Sequence, residues 1–160
     1  MVVSNTSPMM NLAAIGRLDL LPALFDTVHI PQAVALELRD IEVRSSIGLH
    51  LGELPWLVQG AVWGEKVVEA LCVHLHPGEA EAIAMAIEQD QALLLMDERR
   101  GRRIARGTGL RVIGVLGILV ASKRKGFIGA VRPLLDALVS DAGFWVGQDL
   151  YARVLRDAGE

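Results

Sequence analysis

The chain is expected to fold as an α/β protein, a three-layer α/β/α sandwich around a central parallel sheet. Short apolar runs such as Leu93-Leu94-Leu95-Met96 read as strands buried on both faces, the habit of parallel sheets. These runs alternate with amphipathic stretches of helical length. Each strand run also ends in turn-forming or acidic residues that lead into a helix start, as in a βα unit.

In chain order, Met1 to Ser4 forms a first strand, stopped by Asn5-Thr6-Ser7-Pro8. Thr6 or Ser7 can cap a helix there with Pro8 at its first position, and the helix should run to about Ile15. Val28-His29-Ile30 is a second strand, and Pro31 opens a helix whose apolar positions Val34 and Leu38 put Glu37 at the border of the buried face. Residues 41–55 begin as helix and end as loop, and Trp56 to Val62 is a further strand candidate. A helix is expected over Glu65 to Leu75. His76-Pro77-Gly78 interrupts, and a helix over Glu79 to Gln89 carries the core stripe Ala80, Ile83, Ala84 and Ile87. The strand Ala92 to Met96 then feeds a basic helix to about Arg106, and Arg111-Val112-Ile113 is a strand ended by Gly114. Leu116 to Lys125, Val131 to Val139 and Gln148 to Arg156 complete the chain as helices.

A length of 160 residues suits one domain over residues 1–160, with no internal repeat or low-complexity linker. Hydrophobic residues make up 52% of the chain but aromatics only 4%, and the mean hydropathy is +0.38. That excess of aliphatic surface leads us to expect a homodimer. The longest uncharged apolar run, Val112 to Ser122, is too short to span a bilayer, and the N-terminus lacks the basic region of a signal peptide. A cytoplasmic protein with no membrane association is expected. The one cysteine, Cys72, excludes an internal disulfide, and between Leu71 and Val73 it reads as a buried structural thiol.

Charge is distributed unevenly. Residues 1–98 hold 14 acidic and 4 basic side chains, residues 99–135 hold 10 basic and no acidic ones, and the last 25 hold 5 acidic and 2 basic. A cationic third beginning just after Asp97 and Glu98 suits a polyanionic substrate met together with a metal ion. Other chemistries lose ground: no Gly-Lys-Ser/Thr loop, dinucleotide-binding glycine spacing, Gly-x-Ser-x-Gly elbow or His-Glu-x-x-His is present. His74 and His76 are two apart and do not face each other on a helix, so they read as a helix C-terminal pair rather than a zinc site. What remains is a set of carboxylates at element ends: Glu37, Glu79, Glu81, Asp97 and Glu98. The carboxyl edge of a parallel sheet is where α/β folds bind ligands.

Together with Val3-Ser4-Asn5-Thr6-Ser7-Pro8, the motifs Gly78-Glu79-Ala80-Glu81-Ala82-Ile83-Ala84, Asp97-Glu98-Arg99-Arg100-Gly101-Arg102-Arg103 and Gly143-Phe144-Trp145 follow a familiar order. The chain resembles the PIN-domain superfamily of metal-dependent ribonucleases, and within it a bacterial branch related to VapC toxins. The resemblance implies an acidic cluster binding Mg²⁺ or Mn²⁺ at the sheet's carboxyl edge. By position Asn5 falls on the family's first acid, Glu37 on the second, Glu81 on the third and Asp97 on the fourth, with Glu79 a rival for the third place. Glu37, Glu81 and Asp97 would then be the metal ligands, with Asn5 orienting the ion's water shell and Ser7 assisting. Arg99, Arg100, Arg102 and Arg103 would contact RNA phosphates. A small antitoxin would be the protein partner. Two positions depart from the family pattern: the first acid is an amide, and Leu95 stands where Ser or Thr often precedes the fourth acid. The alternative is a PIN-like binding module without catalysis.

Overall fold

The computed structural model describes residues 1–90 and 92–160. Strands β1 (Val2–Ser4), β2 (Val28–Ile30), β3 (Leu57–Gln59), β4 (Leu93–Leu95) and β5 (Val112–Ile113) form one sheet in the order β3-β2-β1-β4-β5, with every pairing parallel. The expected α/β/α sandwich is the fold observed. The first and fourth strands are neighbours, with Val3 opposite Leu94 and Ser4 opposite Leu95. The strand order reverses between β1 and β4, which makes their carboxyl ends the natural ligand crevice of such a sheet.

Alternation along the strands divides the core. Val3, Leu94 and Met96 pack with Ala80, Ile83, Met85 and Ala105, on the face covered by α4 (Glu65–Cys72), α5 (Pro77–Glu88) and α6 (Arg99–Gly107). Leu95, Val28 and Ile30 point to the other face, against α1 (Thr6–Ala14), α2 (Leu20–Phe25), α7 (Val115–Arg124), α8 (Arg132–Ser140) and α9 (Gln148–Asp157). Helix α3 (Gln32–Arg44) lies beside both α1 and α5 and buries Val34 and Leu38 as expected.

Several boundaries and burials differ from expectation. Asn5, not Thr6 or Ser7, is the residue before α1, and Pro8 lies inside its first turn. Helix α2 fills a stretch for which the sequence suggested no element. The helix expected to reach Leu75 ends at Cys72, whose thiol is exposed rather than buried, because α4 contributes no fully buried residue and presents this side to solvent. Helix α5 starts two residues early, at Pro77, and Ile87 is 37% exposed while Ala82, Met85 and Ala86 are buried. The helix lies so deep between α3, α4 and the sheet that its buried arc is far wider than one stripe.

Candidate active site

Parallel strands deliver their carboxyl ends, and the N-termini of the helices that follow, to one edge of the sheet. There Asn5, Thr6, Ser7, Asn11, Glu37, His76, Glu79 and Glu98 line a cavity of about 460 Å³. Asn5 reaches it directly from β1: its backbone N–H donates to Leu95 O at 3.1 Å, and the residue is only 2% exposed. Its side chain does not cap α1. Instead Nδ2 donates to Glu98 Oε2 at 2.7 Å, while Oδ1 accepts from Ser7 Oγ at 3.3 Å.

Glu37 arrives from the second turn of α3. It accepts a short hydrogen bond from Thr6 Oγ1, and its carboxylate lies against Gly78, where an added Cβ would stand 2.5 Å from Oε1. Gly78 is therefore needed for close approach rather than for a turn. Glu79 enters from the first turn of α5, where Oε2 accepts the His76 N–H at 3.1 Å. Burial is the main reason its carboxyl is held above the usual carboxylate range, and Glu98 and Glu37 push it in the same direction. Those two acids act on Glu79 as like charges sharing its pocket.

Asp97 stands on the flank of this cavity. Its Oδ1 accepts the Val115 N–H at the start of α7 at 2.8 Å, and its Oδ2 accepts from Asn11 Nδ2 at 2.9 Å. Burial raises its pKa, the Val115 and Asn11 hydrogen bonds oppose the rise, Glu98 adds to it and Arg102 counters it. Asp97 thus touches the pocket through Asn11, and Glu98 is the acid that faces Asn5. Glu81 is placed elsewhere: its Oε2 accepts the Ala33 N–H at 2.8 Å and so satisfies a free amide at the start of α3. Of the two rivals, Glu79 is the one that lines the pocket.

The arginines also part company. Arg102 is half-buried and donates from a terminal guanidinium nitrogen to Met96 O at 3.1 Å, a clamp beside Asp97. Arg100 turns to His74 Nδ1 at 3.1 Å, Arg103 is exposed, and Arg99 stands at the mouth of a second cavity beside Asp97. His76 precedes α5 at the pocket wall instead of closing a helix. Sequence reasoning missed Asn11 and the pocket role of Thr6. Asn11 lies four residues after Ser7 on α1, so helical spacing would have placed it at the same edge.

The oxygens of Glu37, Glu79, Glu98 and Asn5 have the hard-donor chemistry that Mg²⁺ and Mn²⁺ accept. Among the described residues no three His, Cys, Asp or Glu side chains stand close enough together to enclose an ion. Thr6 and Asn5 engage Glu37 and Glu98 instead. The set fits an ion held by one or two carboxylates with water completing its shell, which is how Mg²⁺ is commonly bound.

A parallel sheet of order β3-β2-β1-β4-β5 with acids gathered at its switch point defines an α/β/α sandwich with an acidic crevice at its carboxyl edge. A family model described as a PIN domain matches residues 1–160, and the chain belongs to the PIN-domain family. No curated protein and no solved structure matches it significantly.

Proposed function

We propose that the protein is a divalent-metal-dependent endoribonuclease of the toxin–antitoxin type. The observation that carries this reading is the convergence of Glu37, Glu79 and Glu98 with Asn5 in one pocket at the sheet's switch point. A bound Mg²⁺ or Mn²⁺ would supply charge stabilisation and a more acidic water for in-line attack on a phosphodiester. One or two of Glu37, Glu79 and Glu98 would hold it, with water completing its shell and Asp97 buttressing the site through Asn11. Glu81, which position suggested as the third acid, serves the start of α3 in this reading. Asn5 Oδ1 orients a coordinated water, and the N-terminus of α1, uncapped by Asn5, faces the anionic substrate with its positive end. Arg99 neutralises an adjacent phosphate, and Arg103 extends the contact along α6.

The protein partner is then a small antitoxin, and the exposed aliphatic side chains Leu36 and Val43 on α3 offer a surface for a homodimer. No helix among the described residues is long and apolar enough to cross a membrane, and the site of action we propose is the cytoplasm.

Incubation of mixed-sequence RNA with Mn²⁺, Mg²⁺ or EDTA tests the reading. Cleavage is expected with either ion and not with EDTA, and Glu98→Gln or Glu37→Gln should slow it by about 100-fold, the usual scale for losing one electrostatic stabiliser of a transition state. Salt-dependent RNA binding without cleavage under any ion would leave the second reading, a PIN-type binding module. The Asn5–Glu98 hydrogen bond favours that alternative, because it holds the pocket together without a cation.

A further inference from the structure

A second, larger concavity of about 1200 Å³ lies across Asp97 from the acidic pocket, walled by α6, α7 and α9 and ending on the open edge of β5. Its floor is aliphatic: Ile113, Leu116, Val120, Leu150 and Val154, with Phe25 at one side. Its rim is mainly cationic: Arg99, Arg106, Arg124, Lys125 and Arg153, with Asp157 the one exposed acid among the lining residues. All five are exposed, and none makes an ion pair with another described residue. Trp145, 86% exposed, stands at the lip. An apolar floor this large on a chain that is acidic overall, ringed by unpaired cations, is complementary to a ligand with one oily and one anionic face.

We propose that this trough is the docking site of an acidic amphipathic segment of a partner protein, its apolar side chains seated on the floor and its carboxylates on the rim. RNA would satisfy the rim and find Trp145 at the lip to stack on, but the branched aliphatic floor itself offers bases no flat platform and would stay wet. A bilayer is flat where the trough is concave. A second copy of this chain is poorly matched, since on the exposed apolar face of α3 Asp40 is already ion-paired with Arg44 at 2.7 Å and Arg39 adds a cation, which leaves no free carboxylate for the rim. The proposal gives the partner's docking surface and chemistry. It rests on the toxin–antitoxin reading only for the identity of that partner.

The test uses fluorescence anisotropy of the whole protein in EDTA, which keeps it independent of the metal pocket. The labelled probe is a synthetic helical peptide with Leu at every third and fourth position and Glu elsewhere. Its comparators are the same peptide with Ser for every Leu, and oligouridylate of equal charge. The amphipathic peptide should bind at least about tenfold more tightly than the Ser peptide, whatever affinity the acidic pocket gives oligouridylate. The Arg106→Glu, Lys125→Glu double variant, exposed at both positions and checked for folding by circular dichroism, should lose about tenfold or more. Equal binding of the Ser peptide, a double variant that loses oligouridylate more than it loses the peptide, or a double variant that binds the peptide as wild type overturns the proposal. So does an amphipathic peptide that fails to bind, and RNA cleavage with Mn²⁺ can succeed or fail separately from all of these.

Discussion

At position 5 the amide donates to Glu98 through Nδ2 at 2.7 Å and accepts from Ser7 through Oδ1, so both ends of a nearly buried side chain are satisfied. An aspartate there would set two carboxylates face to face, a repulsion of several kcal/mol at an effective dielectric of about 20. A proton or a cation would have to intervene. Asn5→Asp should therefore lower Tm in EDTA at neutral pH and show a larger Tm rise with Mn²⁺ than wild type does. Equal Mn²⁺ shifts in thermal melts of the two proteins would count against a cation site between positions 5 and 98. Asp97 makes a pH prediction. Its folded pKa is raised, so between the ordinary value of 3.8 and the folded value the native state holds more protons than the unfolded one, and stability falls as pH rises through that window. Asparagine keeps an acceptor for the Val115 N–H and has no charge to bury. The Tm difference between Asp97→Asn and wild type should grow in the variant's favour as pH rises from the ordinary value of 3.8 through the raised folded value; a pH-independent difference would refute burial as the cause.

Helix α5 shows both the reach and the limit of a sequence pattern. Its existence follows from Pro77-Gly78-Glu79 ahead of an alanine-rich run, and the pairing of Glu37 with this edge follows from its place at the border of the stripe of α3. Its phase does not follow, because residues 82–86 are all buried and no polar face marks the outside. Glu79 and Glu81 lie roughly 200° apart around the helix, so only the packing of α5 against α3 decides which one meets the pocket. Helix α2 was illegible for another reason: six residues with no side-chain cap carry too little periodicity to register. Gly78 offers a test at this scale. An alanine methyl there would meet the flexible end of Glu37, which can move away, while the helix itself gains about 1 kcal/mol of propensity at most. Gly78→Ala should leave Tm nearly unchanged yet weaken Mn²⁺ binding measured by calorimetry, as Glu37 is pushed off Thr6. Unaltered Mn²⁺ affinity would remove Glu37 from the ligand set.

Across the whole molecule, parallel pairing and layering were legible because apolar strands and amphipathic helices alternate, whereas the strand order emerges only from packing. The cationic third was equally plain, but its division was not: helical geometry sends Arg100 toward His74 while Arg99 and Arg106 join the trough with residues from α7 and α9. The walls of that trough are tied together at the end of the chain. Glu160 accepts from Lys123 Nζ at 2.7 Å on α7, and from the Val131 and Arg132 N–H groups at 2.5 and 3.0 Å at the start of α8, just after α9 ends. Lys123 first, then the Val131 N–H, hold its carboxyl down to about 2. A depressed carboxylate stabilises the fold above its ordinary value near 4.5 and loses that contribution as pH falls toward 2. Glu160→Gln should therefore melt below wild type at pH 7, with the gap closing as the medium is acidified through that window, and it should also weaken peptide binding in the trough by loosening α9 from α7. A gap that persists unchanged at the acid end would mean that shape, not charge, is what Glu160 contributes.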